Sequence, residues 1–507
     1  MTNSNAEYLL AAKDACQPAL LLLNDTYTYG QLSSACNSVA ACLKSMGGRK
    51  GDRVILIADN SFFWVAAYLG TLRAGLVCVP LPTSVATSEL DYVLANTEAR
   101  FGFVQHGVFA RLAPSMRKVA LVADRTTPGV PAISFPDIQS GVTSAIPATG
   151  GDDLAALMFT SGSTGTPRGV MISHRNIIAN TNSIIEYLRL TERDRMMTVL
   201  PFHYCFGASL LHTHLRVGAS LVIDLRFMYP EEVLQRMLET ACTGFAGVPS
   251  HYNVLTRSSG LRKKNFPKLR CMQQAGGRLA EACLREMQTI LPNTETFVMY
   301  GQTEATARLS YLPPEYLESK MGSIGKGIPG VTLRVLSESG RQVEPGEMGE
   351  IVAEGNNVAQ GYWRAPEESA ACFRNGRLYT GDLATVDEDG FIYVVGRAKE
   401  FLKCAGKRVS CRQIEDRILE YQGLDEVAVI GVSDDVTGEA VKAFVVPRDA
   451  AQAGLEERLR AFCRKNLPVE LVPKEIVVLE TLPKNSAAKV LKRELRNLNV
   501  PATAIAR

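Results

Sequence analysis

The chain has 507 residues, 46% of them hydrophobic, enough for roughly three or four domain-sized units with sizeable cores. Lys and Arg total 55 against 52 Asp and Glu, so a net charge of +3 with no long basic run gives no reason to expect a nucleic-acid partner. The twelve cysteines include no CxxC pair and the six histidines add no ligand-spaced cluster, which argues against structural zinc and for reduced thiols.

The N-terminal stretch MTNSNAEYLLAAKDAC lacks a charged start followed by an apolar core, so no secretory signal is expected and the protein is read as cytoplasmic. Phe62 to Pro82 is the most apolar segment, but Arg73 and Gly75 interrupt it. It reads as a buried helix followed by a strand, not as an integral membrane segment. Leu154 to Thr160 reads as a buried strand that runs into a burst of Ser, Thr and Gly. There Gly162, Gly165 and Gly169 open the backbone to close approach, while Thr160, Ser161, Ser163, Thr164 and Thr166 supply hydroxyl donors. Such a stretch is either a solvated loop or a polyphosphate cradle. It lacks the Lys-Ser/Thr ending of a P-loop and the G-x-G-x-x-G of dinucleotide folds. Ile177, Ile184, Ile185 and Leu188 recur at helical spacing after a plausible N-cap at Ser173, which places the loop between a strand and a helix. Phosphates commonly bind at such a junction. Near the C-terminus the alternation restarts with a strand at Phe391 to Val395, a helix at Arg412 to Tyr421, strands at Val427 to Val432 and Val441 to Val446, and a helix at Leu455 to Leu467. A separate small domain therefore begins close to Gly396. Cys404 and Cys411, seven apart, read as small packing residues.

Five further motifs follow the Gly-rich loop in order: PFHYCFG from Pro201, YGQTEAT from Tyr300, YTGD from Tyr379, GRAKEFLKCAGKRVSCRQIE from Gly396 and PKNSAAKVLKREL from Pro483. Together they resemble the adenylate-forming superfamily of AMP-binding acyl-CoA synthetases, aryl-acid ligases, firefly-type luciferases and peptide-synthetase adenylation domains. The resemblance implies an α/β fold: a large N-terminal domain of stacked α/β sheets with a small β-rich subdomain, residues 1–395, and a mobile α+β lid, residues 396–507. It implies an acid–thiol ligase with ATP and Mg²⁺ as cofactors. A carboxylic acid is activated to an acyl adenylate with release of pyrophosphate, then passed to a phosphopantetheine thiol of CoA or an acyl carrier protein.

The same resemblance assigns roles. Thr160 to Thr166 and Arg168 hold the pyrophosphate end of ATP; the family usually has Lys where this chain has Arg168, and the positive charge is kept. Gly276, Gly277, Gly301 and Gln302 belong to the nucleotide site, with Tyr300 against adenine, Thr303 on the α-phosphate and Glu304 on Mg²⁺. These are a flat aromatic face, a hydroxyl donor and a hard oxygen ligand. Asp382 and Arg397 take the ribose. Lys489 is the adenylation lysine, preceded by Ala488 where the family commonly has Gly, with Lys484 and Lys492 nearby. Lys399 is the hinge, Gly406 lets a pantetheine arm pass, and Lys403, Lys407 and Arg408 form a local basic patch beside it.

The acyl pocket is assigned to His203, Tyr204, Phe206, Gly207, Val248, His251, Gln274 and Ala275, with further walls at Val248 to His251, Gln274 to Gly277 and Ala305 to Leu309. Many relatives have His where Tyr204 stands, so the gate differs in shape. Pro201 to Ser209 holds no acid to pair with a substrate ammonium, which favours an uncharged tail, fatty, aryl or cyclic. An amino or imino acid loaded onto a carrier protein stays open if Asp224 or another acid reaches the pocket, and a luciferase-like oxygenase would share the adenylation step. Retention of Glu304, Asp382, Arg397 and Lys489 together speaks against a non-catalytic adenylate binder.

Overall fold

The computed structural model describes residues 5–11, 13–126, 132–138, 148–161, 167–397, 401–404, 407–434, 438–448, 454–484 and 490–498. Cα packing divides the chain into two compact units, Met1–Leu333 with Ala353–Tyr379, and Arg334–Val352 with Thr380–Arg507. This differs from an expected division at 395/396. Asp382 pairs with Arg397 and Val386 with Ile392 across an antiparallel hairpin, which keeps residues 380–397 within the second unit.

Two sheets build the first unit. In one, the strand order is Ala132–Ser134, Ala120–Ala123, Phe101–Val104, Arg53–Ile57, Val77–Leu81, Leu154–Ser161, Pro167–Ser173. In the other it is Lys326–Gly327, Ser310–Leu312, Glu295–Tyr300, Cys271–Gln274, Gly244–Gly247, Arg195–Thr198, Ser220–Ile223, Pro18–Leu21, Thr26–Thr28. Their central strands pair in parallel and are almost wholly buried, as strands covered on both faces must be, with polar residues such as Gln273 and Gln274 among the apolar ones. The expected helix and strand in Phe62 to Pro82 are Phe62–Arg73, capped by the Ser61 hydroxyl, and the fully buried Val77–Leu81. A smaller sheet runs Val331–Leu336, Gly349–Gly355, Arg377–Val386, Phe373–Arg374, with Ile392–Arg397 on Arg377–Val386.

The Gly-rich loop needs a correction. It does not join a strand to a helix. It joins Leu154–Ser161 to a second strand, Pro167–Ser173, in an antiparallel hairpin whose last pairs are Thr160 with Arg168 and Ser161 with Pro167. Val170 and Ile172 are buried on alternate positions, and that period of two outweighs the helical spacing that starts only after Ser173. Helix His174–Leu188 follows the second strand. Its N-terminus is closed by a Ser173–Asn176 capping box, with Asn176 N–H donating to Ser173 Oγ at 3.2 Å and Ser173 N–H to Asn176 Oδ1 at 2.8 Å. That helix end therefore offers the loop no N-terminal cradle.

In the second unit, strands Lys407–Ser410, Phe401–Cys404, Gly438–Pro447 and Leu424–Asp434 form a sheet with Glu475–Val478 on Gly438–Pro447. Alternate residues bury against opposite layers. Val429, Val441, Ala443 and Val445 meet helices Cys411–Leu419 and Leu455–Asn466 through Ile414, Ile418 and Leu459, whereas Ala428, Ile430 and Phe444 pack with Leu495 of helix Lys492–Asn497. The expected C-terminal elements are all present, with ends shifted by a few residues. Cys411 is a buried core residue, and no helix among the described residues is long and apolar enough to cross a membrane.

Candidate active site

The tip of the phosphate hairpin, Gly162 to Thr166, lies outside the described residues, so the mouth and its supports carry the description. Thr160 and Arg168 face each other as the last pairs before the tip. The Arg168 guanidinium lies over the Tyr362 ring at 5.5 Å and 3.8 Å from Glu368 Oε1, which holds a forked cation beside the loop.

A strap at residues 359–363 runs along the outer strand of the hairpin. Gln360 N–H donates to Met171 O at 3.1 Å, Met171 N–H to Gly361 O at 2.9 Å, and Trp363 N–H to Gly169 O at 2.7 Å. The strap also reaches the YGQTEAT turn, where Ala359 N–H donates to the Glu304 carbonyl at 2.9 Å and the Tyr362 hydroxyl to Glu304 Oε1 at 2.8 Å. Glu304 is thereby tied to the phosphate hairpin by one short piece of chain.

The turn itself is tightly made. Tyr300 ends strand Glu295–Tyr300, and a 3-10 turn covers Thr303–Ala305. A Cβ on Gly301 would lie 1.9 Å from the Ala307 carbonyl oxygen, so glycine is obligatory there. Thr303 Oγ1 donates to Cys205 Sγ at 3.5 Å, while Gln302 Nε2 is buried with no partner among the described residues. Glu304 is a single hard carboxylate, and among the described residues no three His, Cys, Asp or Glu side chains gather into a metal cage. That donor set fits a Mg²⁺ ion shared with phosphate oxygens, which keeps most of its ligands outside the protein.

The expected acid pocket lies around helix Cys205–Val217 and the turns after strands Gly244–Gly247 and Cys271–Gln274. Helix and preceding turn approach so closely that a Cβ on Gly207 would stand 2.0 Å from Pro201 O. His251 Nδ1 accepts from Val248 N–H at 3.1 Å, which puts its ring proton on Nε2. Burial holds the pKa of both His203 and His251 down to about 4, so neither is a cation at neutral pH. His203 Nε2 is buried with no partner among the described residues, its ring 4.3 Å from that of Tyr204. Gln274 Nε2 donates to Gly277 O at 2.6 Å, and Gly276 sits at φ +83°, where a Cβ would lie 2.9 Å from Val248 Cγ1. Ala275 is buried. A narrow cavity opens instead on the other face of the helix, among Cys205, Ala208, Ser209, His212, Thr306 and Ala307. His203, Tyr204, Phe206 and Gly207 do not line it.

One residue of this region escaped the sequence reading, and another was covered only as part of a pocket wall. Tyr362 lies in AQGYW, which reads as a turn followed by aromatics; only the fold brings it to Glu304. Arg308, 1% exposed, stacks on Phe206 at 4.0 Å, donates through Nε to Met299 Sδ and leaves Nη2 unpartnered, with no carboxylate ion pair among the described residues. Its signal was the one charge inside the expected pocket wall Ala305 to Leu309. Asp224 is committed elsewhere, its two oxygens accepting from Arg226 Nε at 3.0 Å and Nη2 at 2.8 Å.

In the second unit, Arg397 Nε donates to Asp382 Oδ1 at 3.1 Å across paired strands, so the two expected ribose residues are adjacent. Lys489, Lys399 and Gly406 lie outside the described residues, and Lys403, Lys407 and Arg408 are described only as paired strand backbone. Lys484 and Lys492 bind Glu426 and Glu415, each at 2.6 Å.

The AMP-binding enzyme family matches residues 11–363, and the AMP-binding enzyme C-terminal domain matches residues 413–489. The chain belongs to the AMP-binding enzyme family. It is 30% identical to a long-chain-fatty-acid–CoA ligase of Salmonella typhimurium over 96% of this chain and 92% of that one. It is 34% identical to a feruloyl-CoA synthase of an Amycolatopsis species over 92% and 93%. Among solved structures, o-succinylbenzoate CoA synthetase of Bacillus subtilis with ATP and magnesium superposes with a TM-score of 0.86 at 26% identity, covering 97% of this chain and 99% of that one. An anthranilate CoA ligase holding anthranoyl-AMP gives 0.89 at 25%, covering 97% and 96%. This family member is an AMP-forming acid–thiol ligase: with ATP and Mg²⁺ it activates a carboxylic acid as the acyl adenylate, and thioester formation follows.

Proposed function

We propose that the phosphate hairpin and the Glu304 turn form the adenylation centre of this ligase, with CoA as the thiol acceptor and a fatty or aryl acid as substrate. The observation that carries the reading is the strap at 359–363, which holds Glu304 and the hairpin in one register. Attack of a carboxylate on the α-phosphate brings two anions together, so the site must supply positive charge and donors rather than covalent chemistry. Bound Mg²⁺ supplies charge neutralisation at the phosphate oxygens. Glu304 would hold it, Thr303 would donate to the α-phosphate, and Arg168 with the hairpin tip would hold the pyrophosphate end. Tyr300 is assigned to adenine, and Asp382 with Arg397 to the ribose.

Lys489 is assigned the role of mobile ammonium at the α-phosphate. The ion pairs of Lys484 and Lys492 support this choice, because a lysine already held by a glutamate is a poor candidate for the role. Residues 396–507 are proposed to turn about Lys399 between adenylation and thiol transfer, with Gly406 flanking the pantetheine path and Lys403, Lys407 and Arg408 facing CoA phosphates. For the acid, commitment of Asp224 to Arg226 weakens an amino- or imino-acid substrate, which would need a carboxylate for its ammonium. The cytoplasm is the proposed compartment.

The test is pyrophosphate exchange across fatty, aryl and amino acids, followed by a choice between CoA and a phosphopantetheinyl carrier protein as acceptor. Exchange with a fatty or aryl acid and product on CoA is expected. No exchange with any carboxylate would overturn the reading, and product only on the carrier would overturn the acceptor. Lys489→Ala should abolish exchange and spare thioester formation from supplied acyl adenylate; loss of both would refute its assignment.

A further inference from the structure

Glu304 is held at two points by the same short segment, its carbonyl by Ala359 N–H and its carboxylate by the Tyr362 hydroxyl at 2.8 Å. The Tyr362 ring cannot swing away. Its backbone bridges to Val170, its N–H donates to Ser369 Oγ at 2.8 Å, the Arg168 guanidinium covers one side of the ring, and Phe373 packs edge-on at 5.5 Å.

We propose that Tyr362 is a positioning residue for the metal ligand: its hydroxyl occupies Oε1 of Glu304 and so fixes the carboxylate to offer Oε2 to Mg²⁺. This rests on Glu304 being the Mg²⁺ ligand. A phenol suits the task better than a cationic side chain. It orients a carboxylate without cancelling the negative charge that attracts the ion, whereas Lys or Arg at the same distance would compete with the metal. Because Gly361 and Trp363, flanking Tyr362, are bonded to Met171 and Gly169, the same strap sets the spacing between the metal carboxylate and the phosphate hairpin.

The experiment compares wild type with Tyr362→Phe in the full chain, since Phe keeps the ring packing and the backbone strap and removes only the hydroxyl. Mn²⁺ binding is read by electron paramagnetic resonance in the presence of a non-hydrolysable ATP analogue, alongside the Mg²⁺ dependence of pyrophosphate exchange. The Mn²⁺ dissociation constant and the half-saturating Mg²⁺ concentration should both rise about tenfold, the low end of what loss of a group bonded to a metal ligand produces. Exchange at saturating Mg²⁺ should stay within about twofold, since the hydroxyl acts only through ion binding. Unchanged Mn²⁺ binding in Tyr362→Phe would overturn the proposal. So would additive losses in Tyr362→Phe combined with Glu304→Gln, because a residue acting through Glu304 has nothing left to orient. A tenfold Mn²⁺ shift in a wild-type background that exchanges with no acid would uphold the role of Tyr362 and refute the activity reading alone.

Discussion

The two sides of the Glu304 turn are built differently. Toward the phosphate hairpin, the groups that hold Glu304, Arg168 and the strap are paired with protein: backbone to backbone, phenol to carboxylate, guanidinium over ring. Toward helix Cys205–Val217, three buried polar atoms have no partner among the described residues: Gln302 Nε2, His203 Nε2 and Arg308 Nη2. A buried polar group left unmade costs about 1–3 kcal/mol, so a ligand that completes these three atoms would be bound the more tightly for it. On the reading proposed above, the phosphate side is prebuilt by protein partners, while the acid side leaves polar atoms open to the substrate.

The largest expected effect falls on the prebuilt side. Glu304→Gln keeps the shape and an acceptor for Tyr362 but removes the charge, and exchange should fall about 10²–10³-fold, as when a transition-state electrostatic contact is lost. Steady-state exchange at several Mg²⁺ concentrations checks it. If high Mg²⁺ restores full rate, Glu304 serves only affinity and the contrast weakens. Gly301→Ala tests how closely the two sides abut. The added Cβ would meet the Ala307 carbonyl at 1.9 Å, a backbone atom that cannot rotate away. Stability should fall by about 1–3 kcal/mol in urea titration, with exchange reduced as well. An unperturbed melting temperature would show that the turn is looser than its geometry implies.

The same contrast explains what could be read from the chain. Ordered motifs named the reaction: Ser/Thr/Gly at 160–169 taken alone reads equally as a solvated loop, and the motifs that follow it in sequence decide between the two. An apolar run broken at Arg73 and Gly75 also marked helix Phe62–Arg73, and the restarted strand and helix alternation marked Cys411–Leu419 to within two residues. The strand Pro167–Ser173 was missed because its helix signal begins immediately after it, and only pairing with Leu154–Ser161 shows the period of two. Tyr362 was missed for a stronger reason. Its partner is 58 residues away, and nothing local in AQGYW distinguishes a packed aromatic from one donating to a carboxylate.

Arg308→Leu gives a smaller, more informative effect. Leu removes a buried cation with no carboxylate partner, so stability should hold or rise, by about 1–2 kcal/mol at most. If the guanidinium serves the acid, the KM for the acid should rise about tenfold, the loss of one charged hydrogen bond, with the KM for ATP unchanged. A marked loss of stability with acid preference intact would make Arg308 a structural prop for Phe206, and the acid side would be less unfinished than its partnerless atoms indicate.

The smallest effect is a slope. His203 and His251 titrate near 6.5 when unfolded and are held to about 4 by burial in the fold. A depressed folded pKa means the native state favours the neutral ring. Their stabilisation is therefore complete above pH 6.5, declines as pH falls from 6.5 toward 4, and changes no further below that. Each is worth on the order of 3 kcal/mol across that window. His251→Gln keeps an acceptor for the Val248 N–H and removes the titration, so urea midpoints should fall less steeply with acidification than in wild type. The reduction should approach one proton, about 1.4 kcal/mol per pH unit. Tyr362→Phe should leave this slope unchanged, because the phenol does not ionise in that range. Equal slopes in wild type and His251→Gln would mean that the ring is already charged or hydrated in the fold, and the acid side would lose one of the neutral groups that set it apart from the phosphate side.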